Sequence, residues 1–588
     1  LKELVLLNSV TEIGQQAFEG CSSLEKVSMP EALERIGAFA FEGCAALANM
    51  ELSGTVRSIG ESAFEGCAVW QTTLRLPELE SLGARAFFGC AKLAGAELGG
   101  TLTEIGDSAF ESCTAMASLI LPETAQRIGA RAFYRCGLTG DLTIPASVTE
   151  IAAYAFYGCS TLNGTLYIKP GSKTIGDSAF AGCSKLTAVD FGDGITAIGN
   201  EAFSNNGALS GDLILPDSIT TLGESVFEGC SSLSGTLHLP DSLVELGSYC
   251  FHNCKRITGT LRIPDGVTYL PKGAFASMEG LDKLVVGTGV KDWYSASTYN
   301  SENVFYDVPF TEITLTGMHV FSSTFFRYLH PDIVYLPTAQ YAAQLQSCYS
   351  LFADGNIAVR PLESQGDFVV MEGELVAYTG KETAVTVPDG VTSIGPFAFF
   401  NNRDLVSATL PDGVTSIGQG AFYNCRNLTN VGMPESLITV DSLSFSDCVA
   451  LQGNLVLPDG ITEIGERAFY RCGSLTGLQL PARLQDLGES AFNGCNGLTG
   501  KLVIPDKVTE IPAAAFSGCK NFTSLILGQS VAQINGSAFS NCSSLEGTLV
   551  LPDGITSLGN SAFQNCSGLT GELALPASLQ TLGTDTFA

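Results

Sequence analysis

The sequence has few of the residues on which enzyme sites and nucleic-acid-binding surfaces commonly depend. Its 588 residues include only four histidines and two tryptophans, and 60 acidic side chains outnumber 30 basic ones, so the formal net charge is −30 at pH 7. Neutralising the phosphates of a nucleic acid or of an anionic membrane requires clustered Lys and Arg. No segment is basic, and the composition therefore argues against either partner.

Long apolar runs and familiar catalytic motifs are also missing. No stretch approaches the roughly 18 consecutive apolar residues of a membrane helix, so no membrane insertion is expected from these residues. The Gly-x-Ser-x-Gly, His-Glu-x-x-His and Walker patterns do not occur. An Asp follows Pro in many repeats and at most once in each, which favours turn capping over clustered calcium ligands. The sequence thus predicts neither an enzyme nor a cofactor or metal site.

What the sequence contains instead is a strict repeat of 23 or 24 residues. Leu237 to Pro240 shows its strand-like part, in which two apolar side chains flank an outward one and Pro ends the strand. A unit this short cannot bury a core alone, so the units are expected to stack into a solenoid. One Phe marks each unit, in a series of 12 and, 124 residues later, a series of 9: Phe18, Phe41, Phe64, Phe87, Phe110, Phe133, Phe156, Phe180, Phe203, Phe227, Phe251 and Phe275, then Phe399, Phe422, Phe445, Phe469, Phe492, Phe516, Phe539, Phe563 and Phe587.

Two further parts of the unit carry local predictions. The Ala-Phe pair is expected in a helical or 3₁₀ turn, with Phe as the large core residue. The Gly of each Ile-Gly pair is expected either to have a positive φ or to let neighbouring backbones approach closely. The predicted fold is a repeat solenoid of stacked 23–24-residue rungs, with a parallel β-sheet and short helical or 3₁₀ turns. The Gly in question are Gly14, Gly60, Gly106, Gly176 and Gly465.

The unit Ile-Gly-x-x-Ala-Phe-x-x-Cys-x-x-Leu-x-x-x-x-Leu-Pro resembles the BspA-type leucine-rich repeat of bacterial surface proteins, over about 21 units. The resemblance implies a leucine-rich repeat solenoid of the α/β type. It also implies an extracellular or cell-surface, non-enzymatic binding protein, often linked to adhesion, with a protein or glycan ligand on a host or matrix surface. Two alternatives stay open, namely a structural spacer that presents other domains from the cell surface and a glycan-binding module.

Cysteine occupies one repeat position, three residues after the Phe, in 17 of its 19 occurrences. Disulfides, metal binding and buried thiols are the three alternatives. Stacked equivalents point in the same direction, no Cys-x-x-Cys occurs, and Asn206, Met278 and Asn402 replace Cys at this position, which favours a column of buried thiols. The predicted buried ladder includes Cys21, Cys44, Cys67, Cys90, Cys113, Cys425, Cys448 and Cys472.

Residues 288–367 interrupt the repeat and contain 14 aromatic residues. Degenerate rungs are expected to continue there, and residues 338–352 predict an amphipathic helix with Thr338 as N-cap. The segment is interpreted as a cap, with a binding module of exposed aromatics as the alternative. The predicted domains are a first array at 1–287, this module at 288–367 and a second array at 368–588 that opens with a hairpin. Both ends lie within the repeat, so the sequence is interpreted as a piece without its signal and anchor segments.

The candidate binding face is formed by the outward residue of each strand. In the first array this position includes Arg75, Tyr167, His238 and Arg262. In the second array it includes an apolar stripe at Val503, Ile526 and Val550. Contiguous apolar side chains can mark a partner site, but β-branched residues also suit strands for reasons of propensity alone. Both interpretations stay open at this point.

Overall fold

A computed structural model describes residues 1–317, 319, 329–352, 357–362 and 366–588. These residues form two compact units, Leu1–Pro331 and Asp332–Ala588. Together the units contain about 24 stacked turns with parallel sheets and almost no helix, which confirms the predicted solenoid. The finer division of the chain at residues 287 and 367 stays a prediction.

Each turn contributes up to two short strands, and we name them by their place in the repeat. The repeat strand is the Leu-x-Leu-type segment that usually precedes Pro, and the glycine-side strand is the two-residue segment that precedes the repeat Gly. In the repeat strand Thr73–Leu76, Leu74 and Leu76 are buried while Arg75 is exposed. This is the predicted alternation, and it directs two side chains of this repeat strand into the core.

The first unit contains one long sheet of glycine-side strands and several shorter sheets of repeat strands. Eleven parallel glycine-side strands form the long sheet: Glu12–Ile13, Arg35–Ile36, Ser58–Ile59, Ser81–Leu82, Glu104–Ile105, Arg127–Ile128, Glu150–Ile151, Thr174–Ile175, Ala197–Ile198, Thr221–Leu222 and Glu245–Leu246. A separate pair follows at Tyr269–Leu270 and Asp292–Trp293. The repeat strands are Glu3–Val5, Lys26–Ser28, Thr73–Leu76, Gly95–Leu98, Ser118–Ile120, Leu142–Ile144, Thr165–Ile168, Ala188–Asp190, Ser234–Gly235, Arg256–Ile263, Gly280–Val286 and Glu312–Leu315.

The second unit begins with the parallel strands Ile333–Leu336 and Ala358–Pro361 and a helical segment between them. An antiparallel hairpin, Phe368–Met371 with Glu374–Tyr378, then opens the array, as predicted. The repeat strands are Ala384–Thr386, Ser407–Thr409, Asn430–Gly432, Gly453–Val456, Leu475–Gln479, Thr499–Val503 and Asn521–Ile526. The glycine-side strands are Ser393–Ile394, Ser416–Ile417, Thr439–Val440, Glu463–Ile464, Asp486–Leu487, Glu510–Ile511, Gln533–Ile534, Ser557–Leu558 and Thr581–Leu582.

The helical segment consists of the 3₁₀ turn Thr338–Gln340, the α-helix Tyr341–Cys348 and the 3₁₀ turn Tyr349–Leu351. The predicted helix is therefore present, but the predicted N-cap is wrong. Thr338 is the first residue of the opening 3₁₀ turn, Pro337 precedes it as N-cap, and no side chain caps that turn. The opening 3₁₀ turn moves the start of the α-helix itself to Tyr341.

The Ala-Phe segment differs from the helical turn that we expected. Gln16, two residues before Phe18, has a φ of 58° and Gly20, two residues after it, has a φ of 67°. With these left-handed residues in place, the N–H groups of Gln16, Phe18 and Gly20 donate to carbonyls of the next turn at 2.9, 2.8 and 2.7 Å. A helix would direct these donors into its own turn. The segment is therefore a third hydrogen-bonded side of the solenoid, which we call the turn edge.

The glycine of the Ile-Gly pair permits close approach of neighbouring backbones, and its φ is not positive. A Cβ on Gly60 would lie 2.4 Å from the backbone N of Ala38 in the preceding turn. Gly106, Gly176 and Gly465 are equally crowded, with backbone atoms at 2.7, 2.6 and 2.3 Å. Around Gly14, in the first turn, a Cβ would meet nothing within 4 Å. Of the two predicted roles, close approach is confirmed where a preceding turn is present.

The core of each unit is a column of stacked Phe rings, one per turn. Phe41 and Phe64 illustrate it, with ring centroids 5.3 Å apart and planes at 4°. The column of the first unit continues beyond Phe275 to Phe305, at 5.8 Å and 10°. Phe305 belongs to the interrupted segment, so a further, longer rung continues the stack there, as predicted.

Candidate functional site

The predicted binding face lies on the repeat strands, and its charged members have nearby opposite charges. Arg75 is paired in register with Glu97, and its Nε lies 3.6 Å from Glu97 Oε2. Arg262 Nη2 lies 3.7 Å from Asp241 Oδ1. The Arg75 and Arg262 side chains are 75% and 56% exposed. Both guanidinium groups are therefore held loosely enough to contact a partner, because exposed ion pairs of this length contribute little stability.

Two further members, Tyr167 and His238, occupy the same outward position in other rungs. Tyr167 lies in register between Thr143 and Asp190 and is 40% exposed. His238 is exposed and forms an isolated bridge with Ile214. Arg75 and Arg262 are eight rungs apart, which is about 38 Å at a strand spacing of ~4.8 Å. These residues form one outward row, and a partner that contacts the whole row must be extended.

Only two of the three residues in the apolar stripe of the second unit are paired in a strand ladder. Val503 and Ile526 are paired in register, and each is 45% exposed. Val550 is 74% exposed at the same repeat position one rung later, but no strand of the described structure includes it. The continuous ladder is therefore limited to Val503 and Ile526.

The cysteine column is buried except at Cys21 and contains no disulfide, as the Cys pattern predicts, and all of its thiols but that of Cys21 have a specific partner. Cys67 Sγ donates to the carbonyl oxygen of Phe41 in the preceding rung at 3.4 Å, and 16 column cysteines in total make this contact. The Phe41 carbonyl also accepts the N–H of Cys44 at 3.2 Å. The thiol therefore satisfies the second lone pair of a buried carbonyl.

Burial keeps these thiols protonated, because desolvation disfavours the thiolate. It raises the pKa of Cys90, Cys230 and Cys425 to about 12. Cys21 is the exception among the predicted buried residues, since it is only partly buried. The prediction of full burial is wrong at this position, where no preceding Phe carbonyl is contacted. Within the described ranges no group of three or more His, Cys, Asp or Glu residues could hold a metal ion.

An open pocket of about 480 Å³ lies in the interrupted segment of the first unit. Its lining includes the carboxylates of Glu279 and Asp307, the rings of Tyr299 and Phe310, and His330. The Tyr299 hydroxyl accepts the N–H of Asp307 at 3.1 Å, which fixes the ring beside the carboxylate. Other aromatic residues of this segment lie outside the described residues, namely Phe321, Phe325, Phe326 and Tyr328.

Sequence reasoning did not single out the aromatic residues of the turn edge. Tyr134 and Tyr157, each directly after a repeat Phe, stack at 5.0 Å and 7°. Arg131 and Arg135 lie over the Tyr134 ring at 5.2 and 5.3 Å. The signal was present in the repeat, because the position after Phe carries Glu in most early rungs and Tyr in these two.

Comparison with known sequences gives the family. The family model described as the BspA type leucine rich repeat region matches residues 1–115, 80–210, 210–330, 376–499 and 499–588. The chain belongs to the BspA-type leucine-rich repeat family. BspA-type repeats are typical of surface and binding proteins. No curated protein matches the chain.

Solved structures that resemble this BspA-type protein include leucine-rich repeat proteins. A Bacteroides ovatus protein is 19% identical, with 86% of this chain and 88% of that chain covered and a TM-score of 0.24. The Treponema pallidum leucine-rich repeat protein is 32% identical over 29% of this chain and 82% of its own, with a TM-score of 0.27. A leucine-rich cell surface protein of Faecalibacterium prausnitzii is 21% identical over 66% and 87%, with a TM-score of 0.25. None of the helices described here is long and apolar enough to cross a membrane.

Proposed function

We propose that this BspA-type protein is a non-enzymatic, extracellular binding protein that adheres to a protein or glycan on a host or matrix surface. One observation carries the proposal. In rungs such as those of Arg75, Tyr167 and His238 the flanking positions are buried and apolar, whereas the outward position exposes a different side chain in each. A scaffold that holds its core residues constant while it varies one exposed row is suited to recognition.

The chemistry of the row favours a macromolecule over a small ligand. Arg75 and Arg262 are about 38 Å apart at the strand spacing, so one small molecule cannot contact both. Apolar Ile120 and Ile214, which are 59% and 77% exposed, lie in the row between these arginines. Alternating charged, aromatic and aliphatic groups on one surface are typical of protein interfaces.

The test uses the full chain and two arginine substitutions on the row. A panel of immobilised matrix proteins and glycans identifies a retained ligand, and surface plasmon resonance then measures its affinity for the Arg75→Ala, Arg262→Ala variant. We expect at least a tenfold weaker affinity. Arg35→Ala is the matched control, because Arg35 is 55% exposed and ion-paired to Glu12 on the glycine-side strands.

Two results would contradict the proposal. An unchanged affinity of the double arginine variant would show that the row does not bind. Failure of the chain to retain any member of the panel would favour the spacer alternative, in which the repeats only separate other domains from the cell surface.

A glycan-binding module is the second candidate function, and the pocket in the interrupted segment supports it. An aromatic ring beside hydrogen-bonding carboxylates suits a sugar, whose faces are partly apolar and whose edges are hydroxyls. Tyr299 and Asp307 supply these two parts. If this pocket binds glycans, Tyr299→Ala should abolish retention on a glycan array while Arg75→Ala leaves it unchanged.

A further inference from the structure

An aromatic cluster on the turn edge of the first unit is partly exposed to solvent. We call Tyr134, Tyr154 and Tyr157 the tyrosine platform. Tyr134 and Tyr157 stack at 5.0 Å and 7°, and Tyr154 meets Tyr157 at 5.8 Å and 58°. Tyr154 is 36% exposed, and the other two rings are half-buried. The three rings are not part of the Phe column, so the packing of that column does not explain why they cluster.

Two arginines give the tyrosine platform a local positive charge in an acidic protein. Arg131 lies over Tyr134 at 5.2 Å and over Tyr154 at 5.4 Å, and Arg135 lies over Tyr134 at 5.3 Å. The nearest carboxylate to Arg131 is 4.0 Å away, on Glu111. Arg135 forms no ion pair with any described residue. An anionic group placed on the rings would therefore meet two available guanidinium groups.

The second unit has a similar pair of stacked rings at the same repeat position, and there it is covered. We call Phe397, Phe400 and Tyr423 the covered platform. Phe400 and Tyr423, each directly after a repeat Phe, stack at 5.7 Å and 16°. Phe397 meets Phe400 at 5.6 Å and 82°. It lies two residues before a repeat Phe, as Tyr154 does, but in the first rung of its ring pair, where the first unit has Arg131. Phe397 and Phe400 are buried, with 0% and 6% exposure.

The covering group is a polypeptide segment of the same unit, residues 346–352. Its Tyr349 ring stacks on Phe397 at 5.7 Å and meets the edge of Tyr423 at 5.5 Å. Asn401, which follows Phe400, donates from Nδ2 to the backbone carbonyl of Phe352 at 2.5 Å. One aromatic side chain and one hydrogen bond to the backbone of residues 346–352 therefore hold this segment on the covered platform.

The residue that makes this hydrogen bond is different in the first unit. Arg135 follows Tyr134, so it occupies the repeat position of Asn401. A neutral amide matches a neutral backbone carbonyl, whereas a guanidinium matches a carboxylate, to which it can donate two hydrogen bonds. The substitution of Asn by Arg at an otherwise similar platform thus indicates an anionic acceptor on the bound segment.

We propose that the tyrosine platform binds an acidic peptide segment of a partner protein, which places one aromatic side chain against Tyr157 as Tyr349 lies against Tyr423 of the covered platform. A carboxylate next to this aromatic residue pairs with Arg135, and a second one pairs with Arg131. This surface is separate from the row on the repeat strands, so it can bind whether or not that row does. The partner is recognised by an aromatic residue flanked by Asp or Glu.

The probe is a displayed library of peptides with one fixed central aromatic residue and random flanks, selected on the full chain. We expect the selected peptides to be enriched in Asp and Glu beside the aromatic residue. Their affinity should fall at least tenfold in Tyr157→Ala and in Arg135→Gln, and it should weaken as salt rises. The Tyr157→Phe variant keeps the ring stack and should retain binding, which separates lost contacts from lost folding.

Tyr167→Ala is the matched control, because Tyr167 is 40% exposed on a repeat strand. The proposal is overturned if selected peptides show no acidic enrichment, if Arg135→Gln binds as well as the parent chain, or if Tyr167→Ala loses as much affinity as Tyr157→Ala. Retention of a glycan that depends on Tyr157, without any such peptide, would also overturn it and assign the surface to sugars. The Arg75→Ala, Arg262→Ala variant should bind these peptides normally. This result is therefore independent of whether the outward row of the repeat strands binds a partner.

Discussion

Replacing Asn206 with Cys should stabilise the first unit, although it exchanges a strong hydrogen-bond donor for a weak one. Asn206 occupies the cysteine column, and its Nδ2 donates to the Phe180 carbonyl at 3.1 Å, as the thiols do in other rungs. Its Oδ1, however, is buried and has no hydrogen-bond partner in the described structure. A thiol keeps the donor and carries no second polar atom.

The magnitude follows from these two changes. Leaving a buried acceptor without a partner costs about 1–3 kcal/mol. Removing this acceptor stabilises the unit, but the thiol is a weaker donor than an amide, which offsets part of the stabilisation. The expected net stabilisation is therefore about 0.5–2 kcal/mol. The reverse change is available one rung later, at Cys230, which is 0% exposed and donates to Phe203 at 3.2 Å. Cys230→Asn should destabilise the unit by a similar amount.

Native-state hydrogen exchange is the suitable assay, because stacked repeats can open locally and do not always unfold as one unit. The amides of Phe180 and of the neighbouring rungs should exchange more slowly in Asn206→Cys and faster in Cys230→Asn. Asn206→Ala is the control, since it removes the unpaired acceptor and the donor together. The reasoning is refuted if Asn206→Cys speeds exchange, or if Cys230→Asn leaves it unchanged.

Three further predictions follow from single positions. Iodoacetamide at pH 8 should label Cys21 long before any fully buried column cysteine, with mass spectrometry as the readout; equal labelling would contradict the burial. Gly60→Ala should destabilise the fold by about 1–3 kcal/mol because its Cβ would lie 2.4 Å from a backbone N, whereas Gly14→Ala should be nearly neutral by thermal denaturation. Hydrogen bonding to Arg85 lowers the pKa of Glu65, so this pair stabilises the fold at pH values above the pKa of Glu65 in the unfolded state. This stabilisation is lost as the pH falls through the lower pKa of Glu65 in the folded state. The gain is about 1 kcal/mol at this partly buried pair, and Glu65→Gln should flatten the acid limb of the melting temperature.

The repeat period was sufficient to predict the solenoid, because a residue that recurs at a fixed spacing has one common environment in the stack. The Phe rings and the Cys thiols were assigned to the core for this reason, and they lie there except in the terminal rungs, where Phe18 and Cys21 are partly buried and Phe587 is 41% exposed. The same period could not give the turn conformation. A short segment with Ala and Phe fits a helical turn by propensity, but the left-handed φ at Gln16 arises because its N–H bonds to the next turn, which is a contact between units.

The candidate site was less predictable, for a related physical reason. Outward positions are not constrained by the core, so the sequence shows that they vary without showing which neighbours they meet. The row at Arg75 was found because strand alternation fixes its direction. The platform at Tyr134 and Tyr157 was missed because its stack requires the backbone of the turn edge, whose conformation differed from the expected one.

The turn edge also explains why a solenoid of this kind can acquire binding surfaces at little cost to its fold. Its N–H groups donate either to the next turn or within their own turn. The Cys thiol supplies the second hydrogen bond to the buried Phe carbonyl. No hydrogen bond of this ladder depends on the side chain that follows Phe. Glu111, Tyr134 and Tyr157 can therefore alternate at that position while the backbone stays the same. Two adjacent aromatic substitutions are enough to create a platform, and an arginine beside them sets the charge of the segment that it binds.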